Sequence, residues 1–184
     1  MTEKPTLKTE IILGKDLTKG YIEMMNSQRV KEYGENTKDF KKNEQGSTFF
    51  FLKEMDGVKA FGMLKPVTLC YDDKPYQIMG IANVIAIEKS KGFGSLLMEQ
   101  ITKYIEENNM VVVGNTYVDN FEFYKKCGYR FVPGLLPRFV YKKENGEEAR
   151  TETQNYEMFI FDPQNMLKNV IEGTKSVVIK VPFW

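Results

Sequence analysis

Residues Gly80 to Asn109 read GIANVIAIEKSKGFGSLLMEQITKYIEENN, and their order decides the fold. Ile81 to Ile87 is an apolar, β-branched run of the kind that forms a buried strand. Lys89-Ser90-Lys91-Gly92-Phe93-Gly94 is a short basic turn carrying two glycines. Leu97, Ile101, Tyr104, Ile105 and Asn108 then recur at steps of three and four, which predicts a helix. A strand, a tight turn and a helix in that order predict an anion site. The first amides of a helix have no partner within it and sit at the positive end of its dipole. Gly92 and Gly94 lack side chains, so an anion can approach the backbone closely. The plain alternative is a strand-to-helix connection that binds nothing.

Two common phosphate motifs are excluded. A P-loop needs G-x-x-x-x-G-K-[ST], which the chain lacks, and the dinucleotide pattern G-x-G-x-x-G fails at its third glycine, where Leu97 stands. A second stretch, Asp119 to Phe131, reads DNFEFYKKCGYRF. In order and spacing the two stretches resemble the signatures of the GNAT N-acetyltransferase superfamily. The first resembles its acetyl-CoA loop, [RQ]-x-x-G-x-[GA], with Lys89 in place of the usual Arg or Gln. The second resembles its later signature, an Asn followed by F-Y-x-K-x-G-[FY].

The resemblance implies an α/β (α+β) GNAT fold. Its mixed, mostly antiparallel sheet would have about six to seven strands flanked by about four helices. Residues 1–162 would form the acetyltransferase domain, and 163–184 a helix-strand extension packed on that domain or on a dimer partner. The resemblance further implies acetyl-CoA as co-substrate and direct transfer of its acetyl group to a primary amine. Backbone groups of Val84, Ile85, Ala86 and Ile87 would pair with the pantetheine arm by strand addition. The turn Lys89, Ser90, Lys91, Gly92, Phe93, Gly94 and Ser95 would take the pyrophosphate, and Asn120 would touch the arm or simply start a helix. Tyr124 would be the general acid to the leaving thiolate, since a phenol stays protonated at neutral pH yet shares a proton at short range.

The base is open. Ile78 to Ile87 carries no carboxylate and Asn83 is its one polar side chain; a water chain, Glu122 and Glu88 remain as candidates. Two other classes stay beside the enzyme. One is a non-catalytic acyl-CoA-binding module, and the other is an interaction protein whose glycine turn is only a connection.

Composition bounds these readings. The 184 residues suffice for one domain with a proper core. The net charge of +1 favours neither nucleic acid nor an acidic membrane as partner. The N-terminus is polar, without a signal-peptide core, and no apolar run reaches membrane-spanning length, which predicts a cytoplasmic protein. There is no histidine, so no His-based metal site or triad, and no metal is expected. Cys70 and Cys127 read as separate reduced thiols. Cys127 lies three residues past Tyr124, but a nucleophilic role would need an activating partner.

In chain order, Thr9 to Leu13 predicts a strand. Asp16 or Thr18 would cap a helix to about Tyr33, with Tyr21, Met24, Met25 and Val30 inward and Gly34 as its stop. Glu35 to Gln45 reads as a loop with a short helix near an acceptor cleft. Ser47 to Met55, Val58 to Leu69 and Tyr76 to Ile87 predict an antiparallel meander turning at Asp56-Gly57 and at Tyr71 to Pro75. Pro66 marks an edge or bulge. Met110 to Tyr117 predicts a strand parallel to Tyr76–Ile87, and Asp119 would cap a helix Asn120 to Cys127 stopped by Gly128. Tyr156 to Asp162 would be the last core strand, paired with Arg138 to Lys142. Ser176 to Val181 predicts a terminal strand that closes its own sheet or makes a homodimer contact. The acceptor, a small-molecule or peptide amine, is not legible. Acidic residues Glu32, Glu35, Asp39, Asp72 and Asp73 would attract a cation or merely be solvated.

Overall fold

The structure is a computed structural model that describes residues 7–34, 40, 44–143, 145–150 and 154–181. Contacts divide the chain into two compact units. The first comprises Met1–Lys65 and Ile81–Tyr104, the second Pro66–Gly80 and Ile105–Trp184.

In the first unit, β1 (Lys8–Leu13) lies antiparallel to β2 (Thr48–Glu54), with Lys8 opposite Lys53 and Leu13 opposite Thr48. β2 turns through Asp56-Gly57 into β3 (Gly57–Tyr71) and pairs with it out to Thr48 opposite Leu64. Gly57 has φ 134°, a conformation that side-chain-bearing residues rarely adopt. Helix α1 (Lys19–Tyr33) starts where Thr18 Oγ1 accepts the Tyr21 N–H at 3.4 Å and stops at Gly34 with φ 76°. Helix α2 (Phe93–Glu107) buries Leu97, Ile101 and Ile105 of the predicted stripe and Met98 beside them, while Tyr104 is half-buried and Asn108, past the helix end, is exposed. It packs closely on β3, because a Cβ on Gly62 would stand 3.1 Å from Ile101 Cδ1. Phe49, Phe50, Phe51 and Phe61 are fully buried, each contributing about 1.5–3 kcal/mol of apolar burial. The aromatic run is core, as its pattern implies. One expectation fails on α1. Val30 is 45% exposed, and the buried residue one turn after Met25 is Arg29.

The second unit holds the hairpin end of β3 and the start of β4 (Lys74–Ala86). Asp72 and Asp73 join them with φ 52° and 60°, a two-residue loop with both central residues left-handed. β5 (Val112–Tyr117) runs parallel to β4, with Met79 opposite Val112 and Gly80 opposite Val113. Helix α3 (Phe121–Lys126) follows a 3-10 turn at Val118–Asn120. Then come β6 (Arg130–Val132), β7 (Phe139–Lys142), β8 (Glu148–Ala149), β9 (Tyr156–Phe161), α4 (Lys168–Glu172) and β10 (Val177–Ile179).

The strands bond in the order β6-β9-β5-β4-β3-β10-β7-β8. With β1 and β2 the sheet has ten strands among the described residues, against the six to seven expected. Short strands late in the chain make the difference.

Two further expectations are corrected here. β9 pairs with β5 and β6, not with the 138–142 segment. Leu135 and Leu136 are buried after the left-handed Gly134, and the chain leaves β6 there. β7 instead closes a hairpin with β8 around Asn145-Gly146 and runs parallel to β10. Asp119 does not cap α3. It lies inside the 3-10 turn, where the Phe121 N–H bonds Val118 O.

β10 pairs with β3 on one flank and β7 on the other, so the terminal strand finds both partners in its own chain. Pro66 falls between Leu64, where the β2 pairs end, and Leu69, where the β10 pairs begin, so its missing N–H costs no ladder bond on that flank. The Pro182-Phe183-Trp184 end and most of Glu35–Gln45 lie outside the described residues. Among the described residues no helix is long and apolar enough to cross a membrane, and both cysteines are free.

Candidate active site

In the first unit, β4 ends at Ala86 and the Ile87 N–H donates to Lys59 O at 2.8 Å, which holds the strand end to β3. The chain then reverses through Ser90 with φ 60° and Gly92 with φ 81° before entering α2. A Cβ on Gly92 would meet no atom of the described residues within 4 Å, so the space above the turn is open among them. Ser95 is exposed, and the first α2 amides lack helical partners. Lys89 directs its ammonium at both Glu32 carboxylate oxygens, at 2.8 and 2.7 Å. Its charge is therefore shared with α1, and its amide is what it brings to the turn.

The expected strand segment lies directly upstream. Val84 packs over Gly62, its Cγ2 3.4 Å from where a Cβ would stand, while Ile85 is buried. The β4–β5 ladder ends at Gly80 opposite Val113. From Ile81 to Ser95 the first unit thus offers a strand segment, a left-handed turn and a helix start in unbroken succession.

In the second unit, Tyr124 lies midway along α3. Its ring stacks on Phe159 at 4.1 Å with planes 21° apart, and meets Tyr129 edge-on at 6.1 Å. Asn120 donates through Nδ2 to Thr116 Oγ1 at 3.2 Å. Its side chain ties the helix start to β5 and does not cap the helix.

Both carboxylates considered as bases are committed elsewhere. Glu122 accepts from Lys125 at 2.8 Å, and that hydrogen bond holds its carboxyl below the usual range. Glu88 is bonded by Lys59, which also binds Asp56 at 2.8 Å and Glu54 at 3.7 Å. Burial pushes the Cys127 thiol up, which disfavours a nucleophilic thiolate. Of the acidic residues considered for the acceptor, Glu32 pairs with Lys89, Asp72 pairs with Lys175, and Asp73 forms the hairpin turn. Glu35 and Asp39 lie outside the described residues.

Two residues stand out that sequence reading passed over. Glu157 Oε2 is buried without a hydrogen-bond partner among the described residues. Glu157 is directly opposite Thr116, so the two side chains share a face, and Phe159, two residues on, shares it too. That is the face on which Tyr124 stacks and to which Asn120 is tied. The other is Arg29, 3% exposed, bonded to Asn83. A carboxylate in a strand and a cation in a helix carry no signal by themselves; only the sheet register and the helix packing bring them into view.

No protein-family model and no curated protein sequence matches the chain. Solved structures do. ElaA of Escherichia coli is 14% identical and aligns over 85% of this chain and 100% of its own, with a TM-score of 0.62. An acyl-CoA N-acyltransferase from Pseudomonas aeruginosa is 12% identical over 84% and 99%, with a TM-score of 0.59. A Bacillus subtilis acetyltransferase solved in complex with CoA is 16% identical over 85% and 99%, with a TM-score of 0.52. At such identities the likeness is one of fold: the chain has the GNAT fold.

Proposed function

We propose that the protein is an acyl-CoA-dependent acyltransferase that moves an acetyl group from acetyl-CoA to a primary amine. The observation that carries the reading is the succession from Ile81 to Ser95. It supplies, in chain order, what an extended amide-bearing arm ending in a diphosphate needs. A strand segment beyond the last β4–β5 pair offers backbone groups to the arm's amides. The left-handed turn, with open space above Gly92, admits the diphosphate to the first amides of α2. The P. aeruginosa acyl-CoA N-acyltransferase and the CoA complex from B. subtilis share the fold and support that ligand class.

The residues then take roles in direct transfer. The amine nitrogen attacks the thioester carbonyl carbon, and the carbon–sulfur bond breaks. Tyr124 gives its phenolic proton to the leaving thiolate. The stack on Phe159 fixes the ring so that little rotamer freedom is lost in doing so. The proton released from nitrogen goes to the Glu157 carboxylate, directly or through water, in place of Glu122 and Glu88. A buried acceptor oxygen without a donor is costly unless something donates to it, and an amine N–H is such a donor. Tyr124 then recovers its proton from solvent and Glu157 releases the one it took, which restores both groups. Asn120 keeps the start of α3 on β5.

The acceptor is a small-molecule or peptide amine, and the working site is the cytoplasm. Calorimetry with acetyl-CoA, followed by a thiol-release assay over a panel of small amines, amino acids, polyamines and peptides, tests the reading. Micromolar binding with turnover on at least one amine is expected. Binding without turnover on any amine would leave an acyl-CoA-binding module, and no binding would overturn the proposal.

A further inference from the structure

Within β4 the alternation of burial slips. Ile81 and Ala82 are both buried, Asn83 and Val84 both half-buried, and Ile85 is buried again. The cause is Asn83, whose φ of 52° is left-handed in the middle of a strand. One left-handed residue bends a strand and re-aims the peptide groups that follow it. Asparagine tolerates that conformation better than most residues but does not require it, so something must hold it there.

The holding group is on α1. Arg29 is 3% exposed, and its Nε–H donates to Asn83 Oδ1 at 3.1 Å. Its guanidinium lies over the buried Phe40 ring at 3.9 Å, which fixes its position from the other side. Asn83 Nδ2 points to the Met63 sulfur at 3.5 Å, so both ends of the amide are engaged. After the bend, Ile87 regains β3 through its bond to Lys59 O. The bend is thus confined to the peptides immediately before the glycine turn.

We propose that Arg29 is a positioning residue for the acyl-CoA arm: by holding Asn83 left-handed it aims the peptide groups of Val84 to Ala86 at the arm. The inference rests on the coenzyme reading above and adds to it a device in α1 that sets coenzyme affinity without touching coenzyme.

Four proteins test it: wild type, Arg29→Met, Asn83→Gly, and the double variant. Each is titrated with acetyl-CoA by calorimetry, and backbone amide exchange is followed at Val84 to Ile87. Arg29→Met should weaken acetyl-CoA binding by about tenfold and speed exchange at Val84 to Ala86. Asn83→Gly should bind nearly as wild type, since glycine adopts the bend without help. In the double variant glycine should restore most of the affinity lost with Arg29. A merely structural Arg29 would not be rescued this way, because glycine at residue 83 refills no space under α1. Asn83→Val leaves Arg29 in place and forbids the bend, so it keeps the inference testable if Arg29→Met does not fold; it should lose binding as Arg29→Met does. Full affinity in Arg29→Met or Asn83→Val, or an unrescued double variant, would overturn the inference. If wild type itself fails to bind acetyl-CoA, the coenzyme reading falls, and the exchange rates alone decide whether Arg29 sets the bend.

Discussion

The ring of Tyr124 lies on the ring of Phe159 at 4.1 Å with the planes 21° apart, so stacking holds the ring in place. Tyr124→Phe should therefore keep the fold and leave acetyl-CoA affinity within about twofold. Turnover on the best amine should fall by about 10²–10⁴-fold, the usual span for loss of a proton-transfer group. Steady-state rates beside a thermal melt check both halves. Unchanged turnover would remove Tyr124 from the chemistry.

Glu157→Gln replaces an acceptor oxygen with a group of the same shape. In the proposed role it should leave acetyl-CoA binding intact and lower kcat/KM by about 10²-fold or more, since the amide cannot take up the proton. A Gln variant as active as wild type would return the proton to water.

A close backbone approach locks α4 against the β3 hairpin end. A Cβ on Gly173 would stand 1.7 Å from the Tyr71 hydroxyl and 2.8 Å from Asn169 O. Gly173→Ala should destabilise the protein by about 1–3 kcal/mol, the cost of forcing atoms into a packed site. Adding Tyr71→Phe should recover part of the loss, because the hydroxyl is the nearest clash. Urea midpoints of the three variants test this.

Burial holds the Cys127 thiol above its ordinary pKa. The folded state therefore keeps that proton to higher pH than the unfolded chain. The stabilisation is complete below the unfolded thiol pKa, about 8.5, and is lost as pH rises through the folded value. Alkylation at Cys127, followed by mass spectrometry against pH, should show a midpoint higher than that of an unstructured cysteine peptide.

How much of this was legible in the sequence depended on the range of the signal. Ile81 to Asn108 was legible because strand, turn and helix are encoded in consecutive residues, and the stripe Leu97, Ile101, Ile105 is buried as its spacing implies. The caps at Thr18 and Gly34 and the turn at Asp56-Gly57 were equally local. Strand partners were not. The residues of β9 do not specify β5 and β6 as neighbours, and the parallel pairing of β7 with β10 spans a long stretch of chain. Arg29 was hidden because a cation in a helix reads as solvated, and only packing against Phe40 and Asn83 shows otherwise. Glu157 was hidden because its meaning lies in the register that sets it opposite Thr116.

The most direct test of the central claim is acetyl-CoA calorimetry on wild type, Gly92→Ala and Gly92→Glu. Both substitutions place a side chain at φ 81°, where the space is open, so they share the backbone cost and differ in charge and bulk. The account predicts micromolar binding to wild type, modestly weaker binding to Gly92→Ala, and none to Gly92→Glu, whose carboxylate would repel the diphosphate. Equal binding to all three, or none to wild type, would contradict it.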